Sequence, residues 1–408
     1  MPLAEWKASR LDELGFVGRG KSRHRPRNAP FLYGGPYPFF QTGDIKAANF
    51  HLTEYSQTYS EQGLAQSKLW KPGTLCITIA ANIAESAILG VEGCFPDSVV
   101  GFVADPAKAD VRFIKYYMEI LKLQMQSVSQ GATQDNLSVD KLLSFDFLVP
   151  SLPIQQRIAG ILSAYDELIE NSQRRIRILE SMARALYSEW FVHFRFPRSE
   201  SCPRVASSRG EIPQGWEVRK IAEFAKFVRG FEPGSDAYKK DPADNRIKFL
   251  RVGDLSKRDS DLFVDEDLVD GRILAPEDIA ITLDGSVGLV RVGLQGAYSS
   301  GIRRVDIQDA KRLGWSFMHQ LLLSDATQAT ISAHAKGATI KHAGSAVAAL
   351  EFVSPPTEVI AEFENLTAPM LKQVLGLQAK IDTLQRTRDL LLPRLLSGQI
   401  DVGALRER

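Results

Sequence analysis

The sequence predicts an α+β protein in which two mixed α/β domains in tandem are separated by two long coiled-coil helices, forming a pseudo-two-fold internal repeat. Motifs recur about 205 residues apart, and short apolar runs bounded by glycine and proline fill the first part of each copy. A heptad-patterned segment ends each copy. A period this long indicates duplicated globular units rather than a solenoid, whose repeats span about 20–50 residues.

Matched motifs outside the helices support the duplication. The matched pairs are Trp6-Lys7 with Trp216-Glu217, Gly43-Asp44 with Gly253-Asp254, Leu75–Thr78 with Ile279–Thr282, and Gly131-Ala132-Thr133 with Gly337-Ala338-Thr339. The residues between these motifs differ between the copies. The sequence therefore predicts a shared frame that carries two different sets of loops.

Residues 1–152 are predicted to form the first mixed domain. Leu75–Ala80 and Ser98–Val103 are apolar runs of strand length that end at turn residues. Residues 110–126 place apolar side chains at helical spacing. These patterns predict a sheet with at least one helix packed against it.

Residues 153–197 are predicted to form a long central helix. Its apolar residues follow spacings that alternate between 4 and 3, which is typical of a coiled-coil seam. Pro153 lies just before the predicted helix, where a missing N–H costs least. The predicted seam includes Ile158, Leu162, Tyr165, Ile169, Ile176, Leu179 and Leu186.

The second copy repeats this plan after a linker at 198–212. A second mixed domain is predicted at 213–354, a C-terminal long helix at 355–398 and a tail at 399–408. Phe363 and Leu366 lie one residue out of phase with the seam, Arg388 occupies a seam position, and Pro393 is expected to kink the last turn before Gly398 ends it. The predicted seam includes Met370, Val374, Leu377, Ile381, Leu384 and Leu391.

Two amphipathic helices in one chain need to bury their apolar faces, and packing against each other is the simplest solution. Two-fold symmetry between the copies favours an antiparallel pair with the globular domains at opposite ends. The sequence alone leaves a parallel pair open.

Composition excludes several classes of protein. The formal net charge of +1 gives no argument from overall basicity, and three cysteines without a CxxC pair favour a reducing compartment, the cytoplasm. No apolar run approaches the length of a membrane span, so no membrane partner is expected. The six histidines show no metal-ligand spacing, and no phosphate-binding glycine loop is present.

One short motif resembles a catalytic signature. Ser354-Pro355-Pro356-Thr357 is similar to the (Asp/Asn/Ser)-Pro-Pro-aromatic motif of amino-methyltransferases, but it lacks the aromatic ring that stacks on a flipped base. The equivalent position in the first copy precedes the long helix. We therefore interpret the motif as a helix start and predict no catalytic residue and no metal site.

Several motifs, in this order and in duplicate, resemble the specificity subunit (HsdS) of type I restriction–modification systems over nearly the whole chain. Residues 155–156 are Gln-Gln where that family often has Glu-Gln, and the second corner, residues 357–360, departs further. The motifs that carry the resemblance are Gly131–Gln134, Leu152–Ala159, Phe194–Pro197, Gly210–Trp216 and Leu391–Gly398.

The resemblance implies a non-catalytic subunit that gives a restriction and methyltransferase complex its DNA specificity. Each globular domain would be a target-recognition domain that reads one half of a bipartite site on double-stranded DNA, and the helices would fix the spacing. Two methyltransferase subunits carrying S-adenosylmethionine would dock on this chain, at two surfaces that the departures make non-equivalent. A restriction and translocase subunit using ATP and Mg would complete the complex, and this chain itself would bind no cofactor.

Contact with DNA requires cations on phosphates and polar side chains at base edges. In the first domain, residues 19–27 form the densest basic segment, which is either a solvated loop or a phosphate contact. Residues 33–46 follow, with Phe39, Phe40 and Ile45 expected in the core. The candidate contacts are Lys21, Arg23, Arg25, Arg27, Gln41, Thr42 and Lys46.

The second domain has a comparable basic stretch and a possible arginine fork. Arg303 and Arg304 either present a fork to guanine or pair with Asp306. Asp44 and Asp254 are interpreted as turn or cap acceptors in preference to cytosine readers. The candidate contacts are Arg229, Lys239, Lys240, Arg246, Lys248, Lys257, Arg258, Arg303 and Arg304.

The two Gly-Ala-Thr corners are the strongest candidate sites, because glycine permits close approach of the backbone. A hydrogen-bonded turn into the next strand is the competing interpretation. The residues after the shared motif differ, which suggests two different half-sites. The candidate contacts are Thr133, Gln134, Asn136, Thr339, Lys341 and His342.

Two other functions compete with this one. A coiled-coil scaffold that does not bind DNA would explain the helices, although the paired basic stretches argue against it. A recognition subunit of a type IIB-like restriction–methylation enzyme is the other alternative. A self-contained methyltransferase would need cofactor-binding motifs that the sequence does not contain.

Overall fold

The structure is a computed structural model that describes residues 6–130, 136–310 and 312–404. The chain folds as two compact units, which we call unit 1 (Met1–Asn171 with Ile381–Arg408) and unit 2 (Ser172–Lys380). Each unit contains a globular part and a portion of both long helices.

Unit 1 is built from eleven described strands, five described shorter helices and its portions of the long helices. The strands are β1 (Lys7–Ser9), β2 (Gly15–Arg19), β3 (Tyr33–Phe39), β4 (His51–Leu52), β5 (Gln57–Tyr59), β6 (Leu69–Trp70), β7 (Leu75–Thr78), β8 (Ser86–Leu89), β9 (Gly93–Cys94), β10 (Val99–Ala104) and β11 (Phe147–Val149). The shorter helices are α1 (Leu11–Leu14), α2 (Thr42–Ala47), α3 (Glu61–Ala65), α4 (Val111–Gln130) and α5 (Val139–Leu143), with a 3-10 turn at Pro30–Leu32.

Two main sheets form the globular part of unit 1. The five-stranded sheet has the order β2-β10-β7-β8-β4, and the four-stranded sheet has the order β5-β3-β9-β6. Every residue of the central strand β7 is buried, which explains why Leu75, Cys76 and Ile77 are apolar in succession. The predicted strands at 75–80 and 98–103 and the helix at 110–126 are confirmed, and Phe39, Phe40 and Ile45 lie in the core as expected.

Unit 2 contains the remaining described strands and three described shorter helices. The strands are β12 (Arg204–Ser207), β13 (Gly210–Pro213), β14 (Glu217–Lys220), β15 (Ala225–Arg229), β16 (Arg246–Leu250), β17 (Phe263–Asp265), β18 (Ile273–Leu274), β19 (Ile279–Thr282), β20 (Val290–Arg291), β21 (Gly296–Tyr298), β22 (Ile302–Ile307) and β23 (Glu351–Ser354). The shorter helices are α7 (Asp254–Lys257), α8 (Trp315–Leu323) and α9 (Asp325–Ala333), and 3-10 turns lie at Ser199–Ser201, Ile221–Glu223, Ser235–Ala237, Glu266–Leu268 and Gly344–Ala349.

Strand order confirms the duplication that the motifs predict. In unit 2 the orders β15-β22-β19-β20 and β17-β16-β21-β18 repeat the corresponding strands of unit 1. Both copies pair the strand before the Gly-Asp motif in parallel with a short later strand, β3 with β9 and β16 with β21. A further two-stranded pair closes each copy, β1 with β11 and β14 with β23.

The two long helices are α6 (Leu152–Tyr187), which continues as a π turn over Ser188–Val192, and α10 (Thr357–Leu396). Helical structure ends before the predicted residue 197, because Phe194 adopts a positive φ of 56°. Helix α10 continues through Pro393 to Leu396, and Gly398 follows it at a φ of 68°, as expected of a glycine that ends a helix. The Ser-Pro-Pro-Thr corner joins the end of β23 to the start of α10 at Thr357, as the helix-start interpretation predicts.

Within unit 1 the helices run antiparallel. Arg157 of α6 donates to the carbonyl of Val402, which follows α10, whereas Asp166 farther along α6 pairs with Arg388 of α10. The residue numbers of these partners fall as the residue numbers along α6 rise, so the parallel alternative is excluded in this unit. Arg388 therefore pairs with a buried carboxylate at its seam position, and Tyr116 donates a hydrogen bond to the same carboxylate.

The predicted seam residues are buried or half-buried throughout both helices. One local correction concerns α10, where Thr367 and Leu371 are more deeply buried than Leu366 and Met370. The Thr367 hydroxyl lies 2.6 Å from that of Ser316 on α8. A tertiary hydrogen bond therefore places a polar residue at a position that the heptad pattern assigns to an apolar one.

The structure also revises the predicted linker and tail. Strands β12 and β13 form a hairpin within and just beyond residues 198–212, closed by Gly210 at a φ of 90°. The described part of the tail packs on unit 1, where Val402 is buried in the core. Among the described residues, no helix is long and apolar enough to cross a membrane.

Candidate nucleic-acid interface

The Gly-Asp motifs start short helices. The Asp44 carboxylate accepts a hydrogen bond from the Gln41 backbone amide at 2.7 Å, and Asp254 accepts one from the Arg251 amide at 3.0 Å. Each carboxylate thus satisfies an amide at the beginning of α2 or α7. The cap interpretation of both aspartates is confirmed.

A loop with the same hydrogen bonds follows the central strand of each unit. We call residues 78–85 and 282–289 the Thr-anchored loops. The Thr78 hydroxyl accepts from the Glu85 amide at 3.0 Å and donates to the Asn82 carbonyl. The Thr282 hydroxyl accepts from the Leu289 amide at 2.9 Å and donates to the Ser286 carbonyl at 2.5 Å.

The Thr-anchored loops share an unusual backbone as well. Ala81 and Ala84 have φ values of 63° and 62°, and Gly285 and Gly288, at the same places in unit 2, have 74° and 85°. Alanine in this left-handed region is strained because its Cβ approaches the backbone, whereas glycine is not. Unit 1 therefore keeps the loop shape at a cost in stability.

The segments after the two Gly-Ala-Thr motifs pack against these loops. The Leu137 amide donates to the Ile79 carbonyl at 2.9 Å, and the Ala343 amide donates to the Leu283 carbonyl at 2.7 Å. We call each Thr-anchored loop, together with the neighbouring segment (136–137 in unit 1, 336–343 in unit 2), a paired-loop surface. Thr133 and Gln134 lie outside the described residues.

In unit 2 the motif itself forms a tight turn. Lys336 and His342 exchange two backbone hydrogen bonds of 3.1 and 2.7 Å, and this pair closes the hairpin that contains Gly337. Gly337 has a φ of 126°, and a Cβ added there would lie 2.0 Å from the Ile340 carbonyl oxygen. Glycine is therefore required by the turn, and Thr339, Ile340 and Lys341 are exposed at its tip.

The side chains on the two paired-loop surfaces differ. In unit 1, Asn82 accepts a hydrogen bond from the exposed Lys46 ammonium at 3.2 Å, and Asn136 is exposed. In unit 2, Ser286 is exposed and His342 is hydrogen-bonded to Asp284. The shared frame therefore presents an amide and a lysine in one unit and a hydroxyl and an imidazole in the other.

Other predicted contacts of unit 1 lie beside this surface or on α2. Gln41 donates from its side-chain amide to Gln57 at 2.7 Å, and Thr42 is half-buried in the first turn of α2. Both positions are partly accessible to solvent.

The basic segment at 19–27 is held by specific hydrogen bonds. Arg27 makes two bonds to the Asp97 carboxylate, at 2.9 and 2.7 Å, and Arg25 donates to the backbone carbonyls of Ser22 and His24. Lys21 and Arg23 are exposed and have no acidic partner among the described residues. Arg27 is thus neutralised, and the other cations are available.

Lys68 was missed by the sequence analysis. Its ammonium lies 3.6 Å above the Trp70 ring and 4.7 Å from the ring of Phe16, which is 56% exposed. Burial, and then the neighbouring charge of Lys21, lower the pKa of Lys68. Trp70 lies two residues from Lys68 in the sequence, so the Lys-x-Trp spacing was an available signal, whereas Phe16 joins the same surface only in the folded chain.

Several predicted cations of unit 2 have structural partners instead. Arg303 is buried and donates to Asp284 at 3.4 Å, while Arg304 pairs with Asp306 at 2.7 Å. The pairing interpretation of Arg304 is therefore the one observed, and neither arginine forms an exposed fork. Arg258 donates to the Val292 carbonyl and to the Gln378 side chain of α10, both at 2.6 Å, which makes it a tie between elements of unit 2.

The remaining basic residues of unit 2 divide into paired and available ones. Arg246 lies 3.2 Å from Asp265, and Lys248 pairs with Asp259. Of the predicted contacts, Arg229, Lys240, Lys257 and Lys341 are exposed and have no acidic partner among the described residues, and the half-buried Lys239 donates from its ammonium to the Asp236 carbonyl at 3.4 Å. Within the part of the chain that the structure describes, no group of three or more histidine, cysteine or acidic side chains is placed to hold a metal ion.

Comparison with known proteins agrees with this architecture. Residues 4–181 match the family model described as the type I restriction modification DNA specificity domain. Over 98% of its length the chain is 24% identical to the type I restriction enzyme MjaIX specificity subunit of Methanocaldococcus jannaschii, covering 95% of that protein. It is 21% identical to the HindI specificity subunit of Haemophilus influenzae, covering all of that protein and 98% of this chain.

A solved structure shows the same fold. The S subunit of a type I restriction–modification system from M. genitalium superposes with a TM-score of 0.60, over 96% of both chains, at 15% sequence identity. This similarity supports the arrangement of tandem α+β domains and long helices.

Proposed function

Because this chain belongs to the family of type I restriction–modification specificity subunits, we propose that it reads a bipartite site on double-stranded DNA. The paired-loop surface of unit 1 contacts one half-site and that of unit 2 contacts the other. The observation that carries the proposal is the repetition of one backbone frame with different side chains at its exposed positions. Such an arrangement allows the same docking geometry to serve two different base sequences.

Exposed or half-buried cations of the two units hold the DNA backbone. Lys21, Arg23, Arg25 and Lys68 serve this role in unit 1, and Lys240, Lys257 and Lys341 serve it in unit 2. Phosphate contacts of this type give affinity and salt dependence but little sequence information. Arg27 and Arg304 are excluded from this set because each pairs with a carboxylate, and Arg258 is excluded because it ties two elements of unit 2 together.

The long helices set the spacing and dock two methyltransferase subunits. Their inward seams are filled, while Ile178 and Met182 of α6 and Leu390 of α10 remain exposed and offer apolar contacts. The two docking surfaces are not equivalent, since buried Gln155 at one corner corresponds to exposed Glu358 at the other. The chain works in the cytoplasm.

Chemistry belongs to the partner subunits. The methyltransferase subunits carry S-adenosylmethionine, and a restriction and translocase subunit uses ATP and Mg. This chain contributes no catalytic residue and supplies only the DNA sequence to which those activities are directed.

Gel-shift titration of the chain with its methyltransferase partner, against bipartite duplexes taken from the methylome of the same cells, tests the proposal. Scrambling either half-site is expected to weaken binding by about 100-fold or more, and equal affinity for scrambled DNA would leave the scaffold alternative. Arg23→Ala is expected to reduce the slope of log K against log salt concentration by about 0.9 without altering the DNA sequence that is recognised. Arg27→Ala, which removes a cation already paired with Asp97, is the matched control.

A further inference from the structure

Unit 2 holds a histidine at its surface by means of a carboxylate. The His342 side chain is 65% exposed, and its Nδ1 atom lies 2.8 Å from Oδ1 of Asp284. The second carboxylate oxygen of Asp284 accepts a hydrogen bond from the buried Arg303 guanidinium at 3.4 Å. These three residues form a hydrogen-bonded chain from the interior of unit 2 to an exposed imidazole at the base of the hairpin.

The backbone on both sides of the ring is fixed as well. His342 exchanges two hydrogen bonds with Lys336, and the Gly285 amide donates to the Lys341 carbonyl at 2.8 Å. The imidazole is therefore positioned by its own hairpin and by the loop that carries Asp284. A side chain oriented in this way loses little conformational entropy when it meets a ligand.

The hydrogen bond to Asp284 also determines the chemistry of the free nitrogen. Asp284 accepts the proton on Nδ1, so Nε2 of the neutral ring is a hydrogen-bond acceptor. Among the described residues Nε2 has no partner. In the major groove, the groups that donate to such an acceptor are the exocyclic amines of cytosine and adenine.

We propose that His342 reads a base in one half-site by accepting a hydrogen bond at Nε2 from the exocyclic amine of cytosine or adenine, with Asp284 as its positioning residue. This inference rests on the proposed function and names one contact within it. The equivalent positions in unit 1 are Asn136 and Ala80, which also face each other across a β-bridge but lack both the imidazole and the carboxylate. The device therefore serves one half-site alone.

Methylome sequencing of cells that produce the chain with its methyltransferase subunits tests the contact. His342→Ala and Asp284→Ala are each expected to relax discrimination at one and the same position of one half-site by about five- to tenfold. The other half-site and the spacer remain unchanged, which also shows that these variants fold and assemble. His193→Ala, which removes an exposed histidine outside both paired-loop surfaces, leaves the whole motif unchanged.

Base analogues then test the acceptor role directly. Purine in place of adenine, or 2-pyrimidinone in place of cytosine, is expected to weaken wild-type binding about five- to tenfold and to have no effect on His342→Ala. His342→Gln, which keeps an acceptor oxygen, is expected to discriminate better than His342→Ala. Three results would overturn the contact. The first is an unchanged methylome in His342→Ala, and the second is an analogue that weakens DNA binding equally in the wild type and in His342→Ala. The third is an equal loss of base discrimination in His342→Gln and His342→Ala. Absence of any bipartite motif in the wild type would instead be a failure of the proposed function.

Discussion

Gln155 provides a sensitive test of how the first long helix is attached to unit 1. Its side chain is 1% exposed and makes three hydrogen bonds of 3.0 Å: Oε1 accepts from the Asp110 amide, and Nε2 donates to the carbonyls of Lys108 and Pro150. Gln155→Glu keeps the shape and the acceptor but places an oxygen against two carbonyl oxygens. The family often has glutamate at this position, so the substitution isolates the role of the amide in this chain.

The expected cost follows from these contacts. An ionised carboxylate introduced by Gln155→Glu would be buried and would face two acceptors, so the variant takes up a proton on folding and donates to one carbonyl. One lost hydrogen bond costs about 1 kcal/mol, and protonation costs about 1.4 kcal/mol for each pH unit above the ordinary glutamate pKa of about 4.3. The total destabilisation at pH 7 is about 4 to 5 kcal/mol.

The dependence on pH has a definite sign. Because the folded-state pKa of this carboxyl is raised above its unfolded value, the variant is closest to the wild type near and below pH ~4.3 and loses stability as the pH rises. Between about pH 5 and pH 7 its extra cost grows by about 3 kcal/mol. Urea unfolding of the full chain at both pH values, followed by tryptophan fluorescence, measures this difference.

Gln156→Glu is the matched control, because Gln156 is exposed on the neighbouring position of the same helical turn. It is expected to change the free energy of unfolding by no more than about 0.5 kcal/mol at either pH. A Gln155→Glu variant that matches this control, or that becomes more stable relative to the wild type as the pH rises, would refute the assigned contacts.

Three further predictions concern other parts of the chain. Arg388→Ala leaves the Asp166 carboxylate, whose side chain is 2% exposed, without its cation. The variant is expected to lower the free energy of unfolding in urea by about 3–5 kcal/mol, whereas Arg386→Ala, on the exposed face of α10, lowers it by less than about 1 kcal/mol. Equal losses in the two variants would contradict the buried ion pair. Ala81→Gly removes the strain of an alanine in the left-handed region and is expected to stabilise unit 1 by about 1 kcal/mol. Gly285→Ala is expected to have the opposite effect in unit 2, and calorimetry checks the direction of both changes in stability. Burial lowers the pKa of His319 to about 4, and the charges of Arg291 and Arg184 are secondary causes. The contribution of the neutral ring to stability is therefore fully present above about pH 6.5, and about 3 kcal/mol of it is lost as the pH falls towards 4. His319→Gln is expected to flatten this dependence of the free energy of unfolding on pH, and an unchanged dependence would argue against a neutral buried ring.

The sequence was sufficient to predict the frame. Heptad spacing identified both long helices, and the repeated Gly-Asp and strand motifs lie at equivalent places in two sheets of the same order. These features depend on local periodicity and on backbone turns, which a sequence records directly.

Tertiary contacts account for what the sequence did not show. Thr367 is a core residue of α10 because Ser316 supplies its hydrogen bond, and the heptad pattern contains no sign of Ser316. Ala81 and Ala84 adopt the backbone that glycine adopts in unit 2, so the Thr-anchored loop cannot be recognised from its residues. Arg258 and Arg303 are of a residue type that often contacts DNA, and only their hydrogen-bond partners in the folded chain reveal a structural role.

In the proposed function, two recognition surfaces read two half-sites at a distance set by the long helices. Inserting one heptad near Ile176, with a matched heptad near Leu377 so that both helices lengthen together, adds about 10 Å of helix, or about three base pairs of DNA. Methylome sequencing of cells that produce this variant with its methyltransferase subunits is the direct test. Both half-sites unchanged with a spacer about three base pairs longer is the predicted result, whereas an altered half-site with the original spacer would contradict the account.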